Sequence, residues 1–161
     1  MSNEQEDQPD PAVDSKRSGM TMYEASLLHS RADRALRAVV SRRLEQFQLT
    51  MMEWLLLGTV KHAGKEGLTM SAAASTLDVT LPQVTSLSAS LTRAKLLRQR
   101  VNRQDRRSRR LVATAAGQKL VSETEEATSS VLDDWLADVP PDEFDAYMKT
   151  VKTLADRAHK Q

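Results

Sequence analysis

The 161-residue chain contains no cysteine, so disulfides, thiolate metal sites and cysteine redox sensing are excluded. Aromatic side chains make up only 4% of it, too few to build the stacking platforms that hold single-stranded nucleic acid. None of its five glycines lies in a phosphate-cradling loop. No apolar run approaches the roughly 20 residues needed to cross a bilayer, and the N-terminus has no apolar signal core. No membrane partner is expected, and the cytoplasm is the expected location. His29, His62 and His159 are scattered, so neither a metal nor another cofactor is expected, and catalysis has no residues to rest on. Glu123, Glu125 and Glu126 read as a solvated helical stripe.

Charge is present in an uneven distribution. The net charge is +1, yet residues 80–110 hold nine Lys/Arg against one acid, Asp105, a local net of +8. Residues 1–19 and 111–161 are acidic on balance. A basic centre of this density is the electrostatic footprint of a polyanion. Within it, Leu96-Leu97 and the run Leu111, Val112, Ala113 flank the turn-prone residues 102–105. This is the pattern of a two-stranded ribbon with a basic tip.

The organisation on either side follows from periodicity. Residues 1–19 are polar and acidic, and are expected to be a disordered tail. Leu28, Ala32, Leu36, Val40, Leu44 and Phe47 recur at helical spacing, predicting an N-terminal helix within 20–49. Thr50 and Glu53 fit a capping box that opens a second helix through Trp54, Leu57 and Val60. Met51, Met52 and Trp54 could line a ligand pocket, but core is the favoured reading. A short extended link at 67–69 precedes an Ala-rich helix to Leu77, then a tight turn at Asp78-Val79. Thr80 caps the next helix, 81–94, with Pro82 in its first turn. That helix is expected to bury Val84, Leu87 and Leu91 and to expose Gln83, Ser86 and Ser90. Two short helices followed by the basic ribbon make a helix-turn-helix with a wing. Thr114 caps a long helix, 115–138, with Leu120, Thr124, Val131 and Trp135 near one stripe. Pro140-Pro141 breaks it, and a last helix carries Phe144, Tyr147, Val151 and Leu154 on its apolar side.

The expected class is mainly α with a small β-hairpin. A winged helix-turn-helix lobe, 50–114, is flanked by dimerisation helices at 20–49 and 115–161. The apolar residues assigned to the dimer interface are Leu28, Leu36, Trp135, Phe144, Tyr147, Val151 and Leu154, because an amphipathic helix needs a partner surface.

The run D-R-R-S-R-R-L-V-A-T-A-A-G at 105–117 resembles the wing of the MarR family of winged-helix transcriptional regulators, which reads approximately D-x-R-[S/A]-x-x-[L/V]-x-x-T-x-x-G. By layout the resemblance extends over roughly 20–160. It implies a homodimer on a palindromic double-stranded DNA operator, most often a repressor, with a small aromatic or acidic effector as candidate ligand. It also implies a recognition helix at 80–94 in the major groove. Thr80, Pro82, Gln83, Thr85, Ser86, Ser90 and Arg93 are then the candidate DNA contacts, Gln83 being best suited to pair with an adenine edge. Arg107 matches the arginine that family members insert in the minor groove. Asp105 would orient that guanidinium or close the turn, and Arg103, Arg106 and Arg109 are candidate phosphate contacts, whereas Lys95 and Arg110 could equally be structural or solvated.

Three positions depart from the family pattern. Lys95 stands where a glycine is common, and a positive φ there would cost about 1 kcal/mol. Ser86 replaces a frequent arginine, which moves binding strength towards the wing. Ala113 is smaller than the usual leucine. The alternatives are a non-specific architectural DNA binder and a winged helix that meets an acidic protein.

Overall fold

The computed structural model describes residues 19–101 and 109–158. Threonine opens five of its six α-helices. Helix α1, Met22–Leu44, starts from a box in which the Thr21 N–H donates to Glu24 Oε2 at 2.8 Å and the Glu24 N–H to Thr21 Oγ1 at 3.2 Å. Helix α2, Met51–His62, starts from the Thr50–Glu53 box, and α3, Met70–Leu77, from Thr69. Helix α4, Leu81–Arg93, has a third box, Thr80 with Gln83, and α5, Ala115–Trp135, is capped by Thr114. Each such cap satisfies an otherwise orphaned helix N–H and contributes about 1 kcal/mol. Helix α6, Pro141–Ala158, begins instead with a proline and the acids Asp142 and Glu143, which suit the positive end of the helix dipole.

Three strands form one antiparallel sheet, in the order β1-β3-β2. They are β1, Leu68–Thr69; β2, Leu97–Val101; and β3, Arg109–Ala113. The expected hairpin is present, with Leu97 opposite Ala113 and Val101 opposite Arg109. The expected link at 67–69 does more than connect. It pairs with β3, Leu68 opposite Leu111 and Thr69 opposite Arg110, so the hairpin is part of a three-stranded sheet. A two-residue strand carries too little pattern to be recognised before its partner is in place.

The chain divides between Leu36 and Arg37 into two compact units. In the first, Met22, Tyr23, Leu27, Leu28 and Leu36 are exposed apolar side chains of α1. The second holds the core. Leu56, Leu57 and Val60 of α2, Val84 of α4 and Leu111 of β3 are fully buried, together with Leu91, Leu97 and Val121 at 1% exposure. Full burial of one such side chain stabilises by roughly 1.5–3 kcal/mol. The small Ala73 and Ala74 are the buried residues of α3.

Several boundaries and faces differ from the sequence expectation. Leu96 precedes β2, and α5 ends at Trp135, short of 138. On α4 the fully buried position between Val84 and Leu91 is Ser88, not Leu87, which is half-buried. The Ser88 hydroxyl donates to the Thr85 carbonyl at 3.0 Å, which removes the penalty for burying it.

Three termini close in the same way, and none uses glycine. After α4, the Lys95 N–H donates to the Thr92 carbonyl at 2.9 Å and the Leu96 N–H to the Leu91 carbonyl at 2.9 Å. The same pair of bonds links Asp78 and Val79 to Ser75 and Ala74, and Gln48 and Leu49 to Glu45 and Leu44. This is the Schellman closure, which needs a left-handed residue; Lys95, Asp78 and Gln48 have φ of 61°, 51° and 55°. The left-handed backbone is costly for lysine because its Cβ crowds the following carbonyl. Lys95→Gly should therefore raise stability, by about 0.5–1 kcal/mol, as read from urea denaturation; an unchanged or lower midpoint would contradict the strain.

Candidate nucleic-acid interface

Helix α4 presents Pro82, Gln83, Thr85, Ser86 and Arg93 on its exposed side, with Thr80 exposed at its start. Ala89 and Thr92 are exposed as well and extend this face towards the wing. They were not singled out in the sequence, although they continue its helical spacing from Ser86. Arg93 is the one charged side chain on α4.

Gln83 is engaged. Its Oε1 accepts from the Thr80 N–H and from Thr80 Oγ1, both at 2.9 Å. The side chain expected to read an adenine edge thus serves the cap, and pairing both ways with a base would cost that cap. The T-x-x-Q spacing was the available signal.

Ser90 departs from the outward face. It is half-buried, and its hydroxyl donates to Glu53 Oε1 at 2.6 Å. The other carboxylate oxygen of Glu53 accepts from the Thr50 N–H at 3.0 Å and from Thr50 Oγ1 at 2.9 Å. One carboxylate therefore caps α2 and holds α4 against it. Spacing alone put Ser90 with Ser86. The approach of α2 turns its side of α4 inward. Burial pushes the Glu53 carboxyl up, but the hydrogen bonds from Ser90 and from the Thr50 amide and hydroxyl outweigh it, leaving the pKa below its ordinary value.

The basic stretch separates by position. Arg93, Lys95, Arg98 and Arg109 are exposed. Arg110 is half-buried and donates from Nε to the Glu66 carbonyl at 2.7 Å and from Nη2 to the Gly67 carbonyl at 2.9 Å. Arg100 donates from Nη2 to the Lys65 carbonyl at 3.3 Å and lies 3.7 Å from the Glu66 carboxylate. Arg103, Asp105, Arg106 and Arg107 lie outside the described residues.

The remaining expected residues fall as follows. Met51 and Trp54 pack against the core, and the Trp54 indole N–H donates to the buried Thr124 hydroxyl at 3.0 Å. Glu125 is not on a purely solvated stripe: it pairs with Lys61 at 2.8 Å. Leu28, Leu36, Trp135, Tyr147 and Leu154 are exposed, while Phe144 and Val151 are half-buried. Among the described residues no group of three or more His, Asp or Glu could hold a metal ion, and no helix is long and apolar enough to cross a membrane.

Two short helices, an exposed polar helix face and a three-stranded sheet ending in a basic hairpin define a winged helix-turn-helix protein. Residues 47–108 match the model of the MarR family. The fold as a whole is that of MarR-family transcriptional regulators. A MarR-family regulator from Rhodococcus sp. RHA1 matches with a TM-score of 0.79 at 18% identity, over 86% of this chain and 96% of that one. CouR from Rhodococcus jostii RHA1, bound to p-coumaroyl-CoA, matches with a TM-score of 0.76 at 19% identity, over 82% and 92%. MepR from S. aureus, in a complex with DNA, matches with a TM-score of 0.72 at 24% identity, over 86% and 98%. No curated protein sequence matches the chain.

The Glu53 network has a pH signature. A carboxylate with a lowered folded pKa contributes stability that is present above the unfolded value, about 4.3, and lost as pH falls through the folded value. Glu53→Gln, which can still cap α2, should flatten the acid limb of stability. In urea melts, the wild-type advantage over the variant should shrink between about pH 6 and pH 3; a constant difference would contradict the assignment.

Proposed function

We propose that the protein is a homodimeric, sequence-specific double-stranded-DNA-binding transcriptional regulator. It acts as a repressor in the cytoplasm, is relieved by a small aromatic or acidic effector, and is not an enzyme. The observation that carries this reading is the exposed polar face of α4 beside a basic hairpin, on a fold that MepR brings to DNA. Helix α4 would enter the major groove. There the Gln83 amide nitrogen, with its oxygen held in the cap, donates to a base acceptor, and Thr85, Ser86 and Arg93 contact bases or phosphates. Arg107 would reach the minor groove, oriented by Asp105, with Arg103, Arg106 and Arg109 on phosphates.

The dimer is supported by apolar side chains that the single chain leaves exposed, Leu28 and Leu36 in one unit and Trp135, Tyr147 and Leu154 in the other. A two-fold axis would set the half-sites of a palindrome about one helical turn apart. The effector is supported by CouR, whose bound ligand carries an aromatic acyl group. One observation favours a second reading, non-specific architectural binding: the Gln83 and Ser86 stretch of α4 bears no charge. Selection of bound duplexes from a random library tests the two. Enrichment of a palindrome supports the regulator, and an unenriched pool supports the architectural protein.

Arg107→Ala should weaken binding and reduce the slope of log affinity against log salt by about one unit. In an anisotropy titration, unchanged affinity and slope would remove Arg107 from the DNA. Leu154→Glu should convert the dimer to a monomer in light scattering and abolish binding to paired half-sites; a variant that stays dimeric would move the interface elsewhere.

A further inference from the structure

Arg100 and Arg110 are direct cross-strand partners in the β2–β3 ladder. Like charges placed opposite one another destabilise a sheet, so two guanidinium groups here need a reason. Both reach the same short 3-10 turn, Gly64–Glu66, and its exit residue. Between them they take three successive backbone carbonyls, those of Lys65, Glu66 and Gly67. Arg110 makes the tighter attachment, with two donors of its planar fork on adjacent carbonyls at 2.7 and 2.9 Å. Arg100 is the looser, since its Nε is buried without a hydrogen-bond partner. The turn comes this close because Gly67 has φ of 65° and no side chain; a Cβ there would lie 2.1 Å from the Leu111 carbonyl oxygen.

We propose that Arg110, seconded by Arg100, is a wing-positioning residue rather than a phosphate contact. It fastens the loop-proximal end of the paired strands β2 and β3 to the turn that leaves α2, and so fixes where the exposed arginines of the wing stand relative to α4. This rests on the DNA-binding reading above. Lysine cannot replace Arg110 in this role: it keeps the charge, but its donors sit on one nitrogen and cannot span two adjacent carbonyls as the planar fork does.

The test is an anisotropy titration of the full chain with Arg110→Lys, Arg110→Ala and Arg100→Lys, on a selected duplex across a salt series. The expected result is that Arg110→Lys and Arg110→Ala both weaken binding by about tenfold and leave the salt slope at the wild-type value, with a smaller loss for Arg100→Lys. If Arg110→Lys binds like wild type while Arg110→Ala loses about one unit of slope, Arg110 is a phosphate contact and the proposal is overturned. Amide hydrogen exchange on the free protein supplies a second measurement. Arg110→Lys should speed exchange along β2 and β3, whereas Arg109→Lys should not; equal protection in the two variants also overturns the proposal. Failure of the wild-type protein to bind any duplex would sink the DNA-binding reading, while hydrogen exchange would still decide whether Arg110 holds the wing.

Discussion

The second unit is organised around the burial of α2. Every residue from Met51 to Val60 is buried or half-buried, and Leu56, Leu57 and Val60 are inaccessible to solvent. Helices α3, α4 and α5 and strand β3 all pack on it. Those three side chains together account for several kcal/mol. The Lys61–Glu125 pair, with its side chains 25% and 42% exposed, is worth no more than about 1 kcal/mol. Apolar burial therefore holds the unit together, and the polar ties decide orientation. Glu53 joins α2 to α4 through Ser90, and Trp54 joins it to α5 through Thr124. The α4 face that remains outward is set by which side of the helix α2 has taken.

Charge density and charge placement are different properties of the basic stretch. Arg110 and Arg100 lie near backbone carbonyls of the turn after α2, and only the exposed members can add to an outward field. The acidic balance of residues 111–161 sits on α5 and α6, in the stretch that also carries the exposed Trp135, Tyr147 and Leu154. One sign of charge thus accompanies the candidate DNA face, and the other the apolar helices.

Local chemistry made much of the fold legible. The capping threonines Thr50, Thr80 and Thr114 marked helix starts, because an orphaned N–H needs an acceptor within three residues. The turn residues before Leu111 marked the hairpin. Two positions expected on one face, Ser86 and Ser90, separated in the structure because helical spacing gives directions around an axis but not the width of the neighbour. Ser88 rather than Leu87 takes the fully buried position of α4 for the same reason, and Leu87 packs half-buried against the core. The unusual lysine at 95 signalled a left-handed backbone that the structure does contain, since the Schellman closure fixes φ whatever the side chain.

The order of elements, the caps, the wing pattern and the concentration of positive charge were determined by sequence alone, since each depends on residues within a few positions of one another. Only the tertiary structure decided which members of that charge cluster face outward, that Leu68 and Thr69 complete a sheet, and that the capping carboxylate of Glu53 also takes the Ser90 hydroxyl. Those outcomes depend on contacts between residues 37 to 70 positions apart, such as Ser90 with Glu53, Arg110 with Glu66 and Trp54 with Thr124. No local pattern encodes such contacts, because they exist only once α2 is buried and the elements around it have fixed their rotation.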